Sequence, residues 1–173
     1  DLAKALGEVL GTAPLDVTNT PSPDAFAVGS LASESCGYPP SALPAEVQAG
    51  GFVVRGSDVN PGVVCRAVVL GRNPQGAVSG VYEALFALGV KFLAPDYTTV
   101  PSRDEDTLSS KLSVLSLTLD APALEYRDDN THVVVVNLDW AHRNHLSSRV
   151  DEWAYTPGFV HTSYRMLGND RQA

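Results

Sequence analysis

The stretch Gly71–Asp96, GRNPQGAVSGVYEALFALGVKFLAPD, restricts the folds open to this chain more than any other. Val78, Val81, Tyr82, Leu85 and Leu88 recur at i, i+3, i+4, i+7 and i+10, which draws one apolar stripe along a 3.6-residue period. Such a stripe has to be buried against another layer. Gly89 follows the last apolar turn, where a left-handed C-terminal cap is wanted. Val90, Phe92 and Leu93 then read as a short strand stopped by Ala94 and Pro95. A strand end, a glycine-bounded turn, a helix and a strand therefore form one unit, against which the upstream elements pack.

Upstream, Leu2, Leu6, Val9 and Leu10 make a helical stripe closed by Gly11, and Asn19–Asp24 is a turn cluster. That first helix starts without a capping residue, so upstream sequence is expected. Ala25–Gly29 and Phe52–Arg55 read as strands, separated by a loop-like region, Ser30–Gly51, with one helical turn around Ala45–Gln48. Val63–Leu70 is the most continuous apolar run of this half, which predicts a central strand. Downstream, Thr98–Ser110 is polar, its Asp104-Glu105-Asp106 a solvated loop. Leu112, Val114, Leu115 and Leu117 form a last strand before Pro122. This order predicts an α/β or α+β class: a two-layer sandwich of a mixed sheet with helices.

Charge excludes one class of partner. With 12 basic and 20 acidic side chains the net charge is −8, and Lys and Arg are nowhere clustered, so nucleic acid is not an expected partner. No apolar run approaches the ~20 residues of a membrane span, and DLAKALGEVLG is amphipathic rather than a leader peptide. At 173 residues and 44% hydrophobic content, the chain can bury a real core.

Several motif-like strings carry less chemistry than they suggest. Gly71-x4-Gly76 has the spacing of a phosphate-binding loop, but Ala77-Val78 stands where Lys-Ser/Thr should follow, so no charge meets the phosphates. Gly76 and Gly80 instead suit a helix lying close to a sheet. Asp139, His142 and His145, with His161 further on, are a conceivable metal set, but the spacing is not the i, i+4 pair of a zinc-protease helix, and no metal or other cofactor is expected. No Gly-x-Ser-x-Gly elbow supports a serine hydrolase. Cys36 and Cys65 fit either two small buried thiols or one disulfide, and without CxxC spacing they are no zinc or thioredoxin-type site.

The string GAVSGVYEALFALGVKFLAPDYTTVP resembles the glycine-rich turn, helix and strand of the non-catalytic N-terminal domain of alpha-glucuronidases, which is similar to the domain preceding the barrel in beta-hexosaminidases. APALEYRDDN, LDWAHRNHL and GFVHTSYRML, in that order, resemble the DUF4838 family. The resemblance implies residues 1–122 as an N-terminal sandwich domain and 123–173 as the first part of an incomplete (β/α)8-type barrel. In such barrels the working residues stand at the C-terminal ends of strands. Arg127, Asp139, Trp140, Arg143, Asn144 and His161 are then the expected sugar-facing positions. Trp140 would offer an apolar face to a pyranose ring, or else anchor a core, while Arg143 and Asn144 would bond hydroxyls or a carboxylate, or else pair within the fold.

A complete barrel needs ~200 residues, and about fifty follow Pro122. Glycoside hydrolysis ordinarily takes two carboxyl groups ~5–10 Å apart, and the spacing of Glu125, Asp128, Asp129 and Asp139 marks no such pair. The chain by itself is not expected to be a hydrolase. The resemblance implies the non-catalytic front of a carbohydrate-active, secreted or extracellular protein. Its partners would be a polysaccharide or glycan and the remaining part of the parent polypeptide or neighbouring subunits. The alternative is a structural or assembly module of an extracellular complex without hydrolase activity.

Overall fold

The computed structural model describes residues 22–101, 110–124, 127 and 136–146. The chain divides into two compact units, Asp1–Ala123 and Leu124–Ala173. The N-terminal helical stripe, Asp104–Asp106, and Glu125, Asp128 and Asp129 lie outside the described residues.

The first unit is α+β. Its elements are β1 (Phe26–Val28), α1 (Ser30–Ser35), a 3-10 turn (Pro40–Ala42), β2 (Phe52–Gly56), β3 (Ala67–Gly71), α2 (Pro74–Ala87), β4 (Lys91–Ala94), β5 (Tyr97–Thr99), a helical turn over 110–113, and β6 (Ser116–Leu119). β1, β3, β2 and β6 form a mixed sheet in that order. β1 runs parallel to β3, and β2 runs antiparallel to both β3 and β6.

The central strands are the apolar ones because both of their faces are covered. Val53 lies opposite Leu70 and Val54 opposite Val69, and all four are buried. β6, at the edge, alternates exposed Ser116 and Thr118 with half-buried Leu117 and Leu119, the period-2 pattern of a strand covered on one side.

α2 packs on β3 and β2. Asn73 caps it by accepting from the Gly76 N–H at 2.9 Å, and Pro74 occupies the first turn, where its missing N–H costs nothing. Gly89, at φ +95°, ends the helix: its N–H donates to the Phe86 carbonyl, and the Val90 N–H reaches the Leu85 carbonyl at 3.0 Å. Leu85 and Val90 are buried, so the cap also turns the chain inward. The buried face runs through Gly76, Gly80, Val81, Ala84, Leu85 and Leu88. Val78, expected in the stripe, is 46% exposed, because the glycines bring the helix down on their own side and rotate Val78 to the margin.

On the opposite face, Ala27, Val53, Val68 and Leu70 pack with Cys36, Tyr38, Val47, Val63 and Cys65. Cys36 and Cys65 form a disulfide with Cα atoms 5.4 Å apart, which decides between the two states open to this pair. Closing 29 residues of chain removes denatured-state entropy equivalent to about 3–4 kcal/mol. Arg72 ties the same region to the sheet, its Nε donating to the Val47 carbonyl at 2.7 Å and its terminal NH2 group to the Pro44 carbonyl at 3.2 Å.

Four local expectations are corrected. Ser30–Ser35 is helical; near Ala45–Gln48 the chain does turn, the Val47 N–H donating to the Pro44 carbonyl at 3.1 Å, but a 3-10 turn at Pro40–Ala42 precedes it. The central strand begins at Ala67; before it, Arg66 still bonds the Ala25 carbonyl and the Ser57 N–H, while Val64 and Cys65 turn to the Cys36 carbonyl and the disulfide. Tyr97–Thr99 pairs antiparallel with Lys91–Ala94, so β4 belongs to a separate two-stranded sheet. Residues 110–113 are helical and β6 starts only at Ser116; Ser113 is buried, its hydroxyl bonded to Asp58 Oδ2 at 2.6 Å.

Candidate functional site

In the second unit, one short helix, α3 (Leu138–Arg143), gathers Asp139, Trp140 and Arg143, with Asn144 as its C-terminal cap residue. Ala141 faces inward and is fully buried. Asp139 and His142 are exposed, while Trp140, Arg143 and Asn144 are half-buried. Trp140 is therefore neither a fully buried core anchor nor an open platform. Arg127 also belongs to this unit, with its Nε buried. His161 lies outside the described residues.

The charges on α3 have a local cause. Asp139 stands in the first turn and Arg143 in the last, each complementing the partial charge of its helix end. Asn144 turns its side chain back, Nδ2 donating to the Trp140 carbonyl at 3.0 Å. His145 adopts φ 61°, and the Leu146 N–H reaches the Ala141 carbonyl at 3.0 Å, so His145 closes α3 as Gly89 closes α2. Histidine tolerates this conformation better than most residues, though less well than glycine. Among the described residues no group of three His, Cys, Asp or Glu side chains is placed to hold a metal ion. What α3 carries along one short segment is an indole, a guanidinium, a carboxylate and an amide that is turned back onto the helix.

The phosphate-loop spacing at Gly71–Gly76 is filled by the protein itself. Asn73 Oδ1 accepts from both the Gly76 N–H and the Gly50 N–H, the latter at 3.1 Å. The Gly51 carbonyl sits against Gly76 so closely that a Cβ there would collide with it. Amides that would meet a phosphate thus already have their acceptors. The asparagine three residues before Gly76, an N-cap type ahead of Pro74, is the sequence signal for this arrangement.

No protein-family model matches this chain, and neither a curated protein nor a solved structure matches it.

Proposed function

We propose that this chain is the non-catalytic front of a carbohydrate-active, glycoside hydrolase-like protein. In this reading the first unit is the sandwich that precedes an incomplete (β/α)8-type barrel, and the second unit contributes polysaccharide contacts. The observation that carries the reading is the ordered set of strings from Gly76–Pro101 through APALEYRDDN and LDWAHRNHL. The arrangement of α3 supports it, since Trp140, Arg143 and Asn144 stand within two turns of one helix and are half-exposed. A pyranose ring presents an apolar face to the indole, and a sugar carboxylate accepts a forked pair of bonds from a guanidinium. Acidic polysaccharides are the ligand class the guanidinium favours, and amino-sugar polysaccharides come with the family resemblance. The disulfide is compatible with an extracellular site of action.

Binding of the whole chain to an array of acidic, amino-sugar and neutral glycans tests the proposal. Retention on acidic or amino-sugar members is expected. Silence across the array would remove the binding role and leave the alternative, an assembly module without hydrolase activity.

A further inference from the structure

The two faces of the four-stranded sheet are closed by different means. On one, α2 carries its own ladder of hydrogen bonds and its own caps. On the other, Tyr38, Leu43 and Val47 come from one irregular stretch, and Val63 and Cys65 from a second. The stretches converge at the bridge, where the Val64 N–H donates to the Cys36 carbonyl at 3.0 Å and Gly37 lies against the Gly62 carbonyl with no space for a Cβ. Irregular chain has little cooperative hydrogen bonding of its own, and such segments open locally at low free energy unless something else restrains them. Here Arg72 holds the first stretch through the Val47 and Pro44 carbonyls, and the disulfide is the covalent restraint that joins the two stretches. It is also sealed: Cys36 is 2% exposed and Cys65 0%.

We propose that closure of this sheet face is conditional on oxidation. The Cys36–Cys65 bond forms during folding, when the two thiols pass two electrons and two protons to an external disulfide that is itself reduced to thiols, and it completes the apolar cluster, which then shuts reductants away from the sulfur atoms. Exchange requires a thiolate to reach one sulfur and form a mixed disulfide, so native reduction waits on opening of the cover that residues 37–51 and 57–64 form on either side of β2. When a dithiol does reduce the bond, two electrons and two protons pass to the pair. Cys36 and Cys65 become thiols, and the dithiol becomes its own disulfide. The cover is then released while β2, β3 and α2 persist. The chain accordingly reaches its closed state in an oxidising compartment. This inference is independent of the carbohydrate reading.

The test uses the full chain with dithiothreitol, in native buffer and in guanidinium, trapping released thiols with iodoacetamide for mass spectrometry. Release in native buffer is expected to be at least about 100-fold slower than in guanidinium. In parallel, hydrogen exchange compares the wild type with the double variant Cys36→Ser, Cys65→Ser. In the variant, the amides of Tyr38, Val47 and Val64 are expected to exchange at least about 100-fold faster than the global unfolding that Leu85 and Leu88 report, whose own exchange follows the overall stability lost with the bridge; cover amides that merely keep pace with Leu85 and Leu88 would overturn the proposal. Equal reduction rates in both buffers would overturn the sealing, and unchanged exchange in the cover would overturn its dependence on the bridge. Should the variant fail to fold, exchange on wild type held reduced in excess dithiothreitol decides the second point by the same amides.

Discussion

Gly80 of α2 lies against Phe52 of β2 with no room for a methyl group between them: a Cβ at Gly80 would stand 3.0 Å from the Phe52 ring and 2.7 Å from Val69 Cγ1. Glycine inside a helix ordinarily costs about 1 kcal/mol relative to alanine, while forcing atoms into a packed core costs about 1–3 kcal/mol. Phe52 and Val69 are both buried, so the second effect wins. Gly80→Ala is expected to lower stability by about 1 kcal/mol in urea unfolding. Gly76→Ala meets the Gly51 backbone, which cannot rotate away, and should cost about 2–3 kcal/mol. A Gly80→Ala protein as stable as the parent would show that the helix does not rest on the sheet here.

Leu85 and Val78 belong to the same sequence stripe but differ in burial, 1% against 46% exposed. Leu85→Asp places a charge between α2 and the sheet and should remove more than about 4 kcal/mol, enough to abolish cooperative unfolding. Val78→Ala, with a better helix former at a marginal position, should shift stability by less than about 0.5 kcal/mol. Equal effects at the two positions in thermal melts would mean that the helix is rotated from the orientation described.

Asn73 serves two backbone amides at once, those of Gly76 and Gly50. Asn73→Ala should cost about 1–2 kcal/mol and speed amide exchange at both glycines. Asn73→Asp keeps an acceptor at the helix N-terminus and should recover most of the loss. Exchange at Gly50 unaltered by Asn73→Ala would break the proposed tie between the α2 turn and the preceding loop.

The Arg66–Asp24 pair spans 2.7 Å, yet the Asp24 side chain is 83% exposed. Solvent screening leaves such pairs worth about 0–1 kcal/mol, so Asp24→Asn should change stability by less than about 0.5 kcal/mol, the difference shrinking further at 1 M salt. A loss several times larger would reveal a partner for Asp24 beyond Arg66.

The parts of this fold that were legible in the sequence are those in which local pattern and tertiary packing agree. The α2 stripe, the Gly89 cap and the central apolar run all announce themselves, because burial demands a period and a chain reversal demands a glycine. α1 was not legible: SLASES carries one large apolar side chain, Leu31, and that is 80% exposed. Its position follows from tertiary contacts such as the Ser33 hydroxyl bonding the Val69 carbonyl at 3.3 Å. The run Leu112, Val114, Leu115, Leu117 suggests a strand too early, since Leu112 and Ser113 are the buried residues of a helical turn, Ser113 paired with Asp58. Strand partnership was likewise out of reach, because nothing local tells Phe92 to face Tyr82 and Phe86 while β4 pairs only with β5 among the described strands. At the candidate site, the grouping of Asp139, Trp140, Arg143 and Asn144 was visible from their adjacency. The capping role of His145 was not, because histidine replaces the glycine that usually marks it.

The most direct test of the carbohydrate reading is titration of the intact chain and its Trp140→Ala variant with an acidic polysaccharide that the array identifies, each first shown to be folded by its melting curve. Loss of a stacking indole should weaken binding about tenfold or more while leaving the first unit's unfolding transition in place. Unchanged affinity in a folded Trp140→Ala protein would contradict the assignment of α3 as the sugar-contacting element.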